Sequence, residues 1–284
     1  MNRRQFVKTT AGAAALLALR QKAYGYAVSP RITKFVTPLR TFGVDIPILS
    51  PDQATYPGVD YYDVGAGVFR ESLHPDLDKL NAQGTRLYGY RATNGGTFKH
   101  LGGAVVARKD TPVRVKFTSS LPASHILPFD ATIPSGKSMR HDRAAIHLHG
   151  GLVPWPSDGG PFHWISNGSN GNGSEEGEAR PGGGWLPDAG GNLTNDNFYP
   201  NHQSARFMWY HDHAIGLTRT NAYAGLASGY ILTDAVEQGL GIPAADHLVI
   251  QDKVFWDPAI DPMYANYVPG ALPGDLWYPY ISAT

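Results

Sequence analysis

The 284-residue sequence contains no cysteine, which excludes disulfides, zinc–thiolate sites and the thiolate ligand that a blue-copper electron-transfer centre needs. It has no excess of charge of either sign, because Lys plus Arg and Asp plus Glu both number 24. Neither a polycationic nucleic-acid surface nor a polyanionic tail is implied. No apolar run approaches the roughly 20 residues that cross a bilayer as a helix. Sustained helical periodicity is also scarce. What is abundant is glycine (33), proline (22) and aromatic side chains (11%), a composition that favours an all-β fold with long loops. The length allows one large or two ordinary domains, each able to bury a core.

The first residues are set aside from the fold. NRRQFVK, Asn2 to Lys8, places a twin arginine ahead of Phe6, and a short, mildly apolar TTAGAAALLAL follows. Residues 1–27 resemble a twin-arginine export signal, which implies a periplasmic or extracellular protein that folds, and loads any cofactor, before export. Small residues in AYGYA put the expected cleavage after Ala27, so that the mature chain begins near Val28.

Alternating β-branched or apolar and polar residues, bounded by prolines, predict strands in RITKFVTPLR (31–40) and TPVRVKFTSSLP (111–122). Further strands are expected in AAIHLHG (144–150), ARFMWYHDH (205–213), SGYILTD (228–234) and HLVIQDKVFW (247–256). Several short strands separated by turn-rich segments suggest a sandwich or Greek-key barrel. The stretch between Trp155 and Gln203, with SNGSNGNGSEEGEARPGGGW inside it, is too rich in glycine, asparagine and proline to form core and reads as a surface excursion. AVEQGLGIPAADH (235–247) reads as a linker, giving a first domain over 28–240, then 241–284 as linker and the start of a second domain.

Two short motifs carry the chemistry. Side chains alternate faces along a strand, so His147 and His149 in AAIHLHGG project to one side, about 6.5 to 7 Å apart. WYHDHA repeats the spacing with His211 and His213. One such pair is weak evidence; two on separate strands can bring four imidazoles to one place. Imidazole suits copper, zinc, iron and nickel alike, so the spacing does not choose the metal. The absence of an HExxH helix weakens a metalloprotease reading. Asp158, in PSDGG, and Asp212, between the second pair, are candidate carboxylates for proton relay beside such a cluster. Asp158 is also a natural turn residue before glycine, and Asp212 falls on the strand face opposite its neighbours, where it could orient a ligand instead. His74, His100, His125, His141, His163, His202 and His247 are isolated and read as ordinary polar residues.

HLHGG followed by WYHDHAIGLTRTNAYAGLASGYIL resembles the first cupredoxin domain of the multicopper oxidases, nearest the bacterial laccase, bilirubin oxidase and phenoxazinone synthase branch. The resemblance runs from about Arg31 to Trp256. It implies an all-β, cupredoxin-like Greek-key barrel or sandwich, followed by the start of a second cupredoxin domain. It also implies copper: His147 as a type 2 ligand, with His149, His211 and His213 as ligands of the type 3 pair. The implied reaction couples oxidation of a phenol, aromatic amine, bilirubin-like pigment or low-valent metal ion to four-electron reduction of O2 to water.

The chain departs from that pattern. The family's last domain carries HPxHLHG-like and HCH motifs, which supply the other four trinuclear-site histidines and the type 1 ligands. Neither motif occurs here. The expectation is therefore half of a trinuclear site and no type 1 copper, completed by a missing C-terminal cupredoxin domain or chain, with no laccase activity from this chain alone. The alternative is an exported, non-catalytic copper-binding or scaffold protein.

Overall fold

A computed structural model describes residues 29–129, 133, 140–167, 186–188, 190, 191, 193, 194, 196–243 and 246–280. Its longest strand, β1 (Asp60–Glu71), comes from DYYDVGAGVFRE. Tyr62, Val64 and Ala66 bury one face of it, while Gly65 and Gly67 on the other leave room for the Thr93 and Phe98 side chains. A short helix α1 (Pro75–Asp78) leads to β2 (Thr85–Ala92), and β3 (Val105–Arg108), β4 (Val113–Ser119) and β5 (Ile146–His149) follow. Two two-residue strands, β6 (Leu186–Pro187) and β7 (Leu193–Thr194), form a small hairpin ahead of β8 (Asn197–Tyr199). Then come β9 (Arg206–Asp212), helix α2 (Thr218–Ala224), β10 (Ala227–Thr233) and the short helices α3 (Ala235–Gly239) and α4 (Tyr264–Tyr267).

The strands assemble into two four-stranded sheets, ordered β2-β1-β4-β8 and β3-β10-β9-β5. Pairing is mixed: β1 with β4 and β10 with β3 are parallel, the rest antiparallel. One apolar core joins the sheets, with Val64, Leu87, Tyr90 and Val115 from the first and Ile146, Leu148, Tyr210 and Tyr230 from the second. Each such side chain, nearly stripped of water, contributes about 1.5–3 kcal/mol. The expected all-β, two-layer architecture is present.

Several local expectations need correction. Residues 31–40 form no strand, because no neighbouring strand pairs with them. Residues 247–256 likewise lack a ladder; only Phe255 bridges to Leu276. Both side chains belong to the main core, and Arg70 ties down the stretch that carries Leu276 through a two-pronged bond to Asp275. The excursion between Trp155 and Gln203 is not all surface: Trp164 and Tyr199, near its two ends, are buried. Its glycine-rich centre, 168–185, and the export-type segment, 1–27, lie outside the described residues. No helix among the described residues is long and apolar enough to cross a membrane.

Candidate metal centre

Strand β5 lies at the edge of its sheet and pairs antiparallel with β9, so that His147 stands opposite His211 and His149 opposite Trp209. Opposed residues share a sheet face. All four side chains therefore project together, while Leu148, Tyr210, Ile146 and Asp212 face the core. His213, one residue beyond β9, is held by its backbone N–H donating to the Ala145 carbonyl at 3.1 Å. The ring of His147 lies 5.6 Å from that of His149, 5.3 Å from His211 and 5.0 Å from His213, centre to centre. His211 and His213 are 5.9 Å apart. One nitrogen each from His147, His149 and His211 falls within a 4.8 Å span.

Hydrogen bonds decide which nitrogens are free. His211 Nδ1 donates to the Asp212 carbonyl at 2.7 Å, leaving the Nε2 lone pair for the cluster. The His147 Nδ1 donates to the Asp158 carbonyl in a short bond, again freeing Nε2. Such outer partners fix the tautomer and ring angle of a ligating imidazole. His149 presents Nδ1 instead, 3.1 Å from His211 Nε2. Two nitrogens sharing one ion at about 2.0–2.1 Å lie roughly 3 Å apart, so the two fit a common ion. His213 Nδ1 is buried without a hydrogen-bond partner among the described residues, as a ligand nitrogen would be in metal-free protein. Burial, opposed by the bond to Asp212 and reinforced by the neighbouring histidines, lowers the His211 pKa to about 4. Its ring is thus neutral at neutral pH, the state in which imidazole binds metal.

The indole of Trp209 stacks on His211 at 4.2 Å and on His149 at 5.2 Å. The loop after β5 turns through a single 3-10 turn, Trp155–Ser157, and returns Asp158 to the strand. It closes so tightly that a Cβ on Gly159 (φ +66°) would lie 1.8 Å from the Ile146 carbonyl oxygen.

The four sequence-expected histidines are therefore together. Asp158 is beside them, its carboxylate 3.5 Å from His147 Nδ1 and its side chain 52% exposed. Its closest contact is made by the backbone carbonyl, a role that its side-chain chemistry does not announce. Asp212 lies behind the histidine face, fully buried, its carboxylate accepting from Ala145 N at 2.8 Å and Ala214 N at 3.2 Å. Burial, partly opposed by these bonds, raises its pKa to about 7. Sequence reasoning missed Gly159, Trp209 and the polar groups packed behind Asp212. Of these, only Trp209 gave a signal, as the aromatic two residues before His211 on the same strand face.

No family model matches the chain. It is 34% identical over 218 residues to a laccase of Bacillus stratosphericus, covering 74% of this chain and 37% of that protein. It is 31% identical over 270 residues to a laccase of Haloferax volcanii, covering 90% of this chain and 41% of the relative. A rice protein, multicopper oxidase LPR1 homolog 1, is 37% identical over 194 residues, covering 66% and 30%. The chain thus spans about a third to two-fifths of the length of these curated relatives. Among solved structures, a multicopper oxidase of Pediococcus acidilactici superposes with a TM-score of 0.53 at 21% identity, over 84% of this chain and 40% of that one. This likeness identifies the fold as cupredoxin-like.

Proposed function

The chain belongs to the multicopper oxidase family, and from that membership we propose that it supplies half of a trinuclear copper site in an exported laccase-like oxidase. In this reading His147 holds the type 2 copper, and His149, His211 and His213 the type 3 pair. The observation that carries the proposal is the convergence of four imidazoles from two adjacent strands, with the Nε2 atoms of His147 and His211 freed by bonds at Nδ1. When bound, copper would supply the redox chemistry that takes O2 to water with electrons from a phenol, aromatic amine, pigment or metal ion.

The chain's own residues then have distinct tasks. Trp209 covers one side of the His149 and His211 rings and fixes their planes. The Asp158 carbonyl holds His147 in the Nδ1–H tautomer, and the half-exposed Asp158 carboxylate stands where it can carry protons from solvent to the cluster. Asp212, sealed behind the strands, serves as a strut between them. Four imidazoles and no cysteine leave the centre short of ligands, so its remaining histidines and the type 1 site come from residues outside this sequence. The twin-arginine motif at Arg3 and Arg4 supports export.

Titration of the purified chain with Cu(II), followed by calorimetry and EPR, tests the reading. Saturable binding with imidazole nitrogen hyperfine structure is expected, lost in the His147→Ala/His211→Ala double variant. Binding unchanged by that variant would overturn the site. Turnover of a phenolic substrate by this chain alone would overturn the half-site. If isolated cupric signals and no O2 consumption persist after the missing cupredoxin domain is added, the non-catalytic copper-binding alternative stands instead.

A further inference from the structure

Behind the histidine face, buried polar atoms form one directed chain of hydrogen bonds. The Leu127 N–H donates to His125 Nδ1 at 2.9 Å, so the ring proton of this histidine sits on Nε2. That N–H donates to Asn221 Oδ1, also at 2.9 Å. The Asn221 amide donates in turn to the Arg143 carbonyl at 2.9 Å, and its side chain lies beside the Asp212 carboxylate, where it favours the ionised form. Asp212 itself accepts from the backbone of Ala145 and Ala214. Asn221 and Asp212 are fully buried, and His125 is 7% exposed.

The ends of these bonds fall at telling places. Arg143 and Ala145 lead into His147, while Asp212 and Ala214 flank His213. Asn221, on α2, therefore grips the root of β5 at the Arg143 carbonyl, next to the carboxylate that ties that root to β9. No hydrogen bond joins Asn221 or His125 to the four imidazoles among the described residues. Apolar side chains could fill the same volume without the cost of desolvating an amide, an imidazole and a carboxylate. Apolar packing, however, lets two strands slide by a fraction of an ångström, whereas directed bonds to named backbone atoms fix their offset. Metal ligands need that offset, since supporting residues that leave a site about 1 Å loose spoil it.

We propose that Asn221 and His125 are positioning residues for the metal centre, holding the Arg143 carbonyl at the root of β5 and so, beside Asp212, setting the spacing of the two ligand-bearing strands. The proposal rests on the metal-site reading above, and its test separates the two. Asn221→Ala, His125→Phe and His125→Gln variants of this chain are compared with the parent. Phenylalanine removes both bonds of His125; glutamine returns an N–H to Asn221 Oδ1. Thermal unfolding establishes that each is folded, and Cu(II) affinity is then measured well below the melting temperature. Metal-free accessibility of His211 is read in parallel as its rate of carbethoxylation by diethyl pyrocarbonate, with the exposed His202 as internal control.

The expected result is a loss of about tenfold in Cu(II) affinity for Asn221→Ala and His125→Phe, within the range for outer partners of metal ligands. His211 should react several-fold faster in both, His202 should not change, and His125→Gln should restore both readouts. Folded variants with parental affinity and parental His211 reactivity would overturn the proposal. So would a glutamine variant as impaired as the phenylalanine one, since the role would then be packing. If Asn221→Ala does not fold, the His125 pair decides. If the parent binds no copper, the metal reading fails, and the reactivity of His211 with its rescue by glutamine still decides the positioning role.

Discussion

His147 and His149 ride on an edge strand whose outer side is covered by a loop rather than by another strand of the sheet, whereas His211 lies at the end of an inner strand flanked on both sides and His213 follows that strand directly. The same two-residue spacing is supported in two different ways. The first pair depends on a loop that folds back and offers a backbone carbonyl to His147. The second pair depends on the core beneath it, where the buried Asp212 accepts from the chain on both sides. An edge position gives access to ligands from elsewhere but leaves few neighbours to hold a side chain. An inner position gives rigid support and excludes water. On the proposed half-site reading, a centre that is stiff and yet takes further ligands from elsewhere is served by one pair of each kind.

The comparison breaks most sharply at Gly159. A Cβ there would overlap the Ile146 carbonyl oxygen in a backbone that already has φ +66°. Gly159→Val should cost about 3 kcal/mol or more, or drive the loop off β5. Urea unfolding measures the first outcome. In the second, the Asp158 carbonyl leaves His147, and Cu(II) titration should show weakened binding while the His211 side keeps its shape. On the other side, Asp212→Ala leaves two buried N–H groups unpaired. The cost should be about 2 kcal/mol, the penalty for the orphaned donors being partly offset because a buried carboxylate is itself costly. Chemical denaturation of the metal-free protein checks it, and a variant as stable as the parent would contradict the strut.

The different supports also explain what was legible in the sequence. The histidine pairs could be read because strand alternation is local: two positions along a strand share a face whatever surrounds them. The second sheet was readable at β5, β9 and β10 for the same reason. The strands β1 and β2 were not anticipated, because glycines interrupt their alternation. In the fold those glycines are contact points: a Cβ on Gly67 would lie 2.5 Å from the Phe98 ring, and one on Gly89 2.8 Å from that of Phe69. Conversely, 31–40 and 247–256 have strand-like patterns but find no ladder, since pairing is decided by neighbours rather than by the segment. The supports of the site were hidden for a similar reason. Asp158 acts first through its carbonyl, Gly159 by being absent of side chain, and His125 reaches Asn221 across 96 positions of chain.

A smaller effect sharpens the view of the inner support. Burial, opposed by the bond to Asn221, lowers the His125 pKa from 6.5 to about 4. The folded state therefore binds fewer protons than the unfolded one between these values. The stabilising contribution is complete above about pH 6.5 and is lost as pH falls toward 4. Buried His100, lowered to about 3, and His211, lowered to about 4, add slopes of the same sign, while Asp212, raised to about 7, adds one opposing slope that the three histidines together outweigh. Metal-free protein should weaken on acidification, and His125→Phe should remove about 1 kcal/mol of the decline between roughly pH 7 and 5.5. Denaturation midpoints at several pH values measure this. An identical slope in the variant would mean that His125 is protonated in the fold and the direction of the buried chain is wrong.

The smallest expected effect lies at the seam between the two pairs. Trp209 stacks on one histidine from each, yet 40% of its surface is exposed. Partial exposure limits its contribution to the fold, so Trp209→Leu should cost only about 0.5–1 kcal/mol, mostly the stacking term. Its effect on the rings should be larger in proportion, because nothing else on that side holds both planes and the His149 Nδ1 to His211 Nε2 separation of 3.1 Å depends on them. Contact with two ligands also makes the indole a reporter. Cu(II) bound between His149 and His211 should quench its fluorescence at the same copper concentration that saturates the EPR signal, and Trp209→Phe should abolish most of that quenching while copper still binds. Were the quenching to survive in Trp209→Phe, the metal would lie nearer another of the six tryptophans, and the pairing of His149 with His211 around a shared ion would fall.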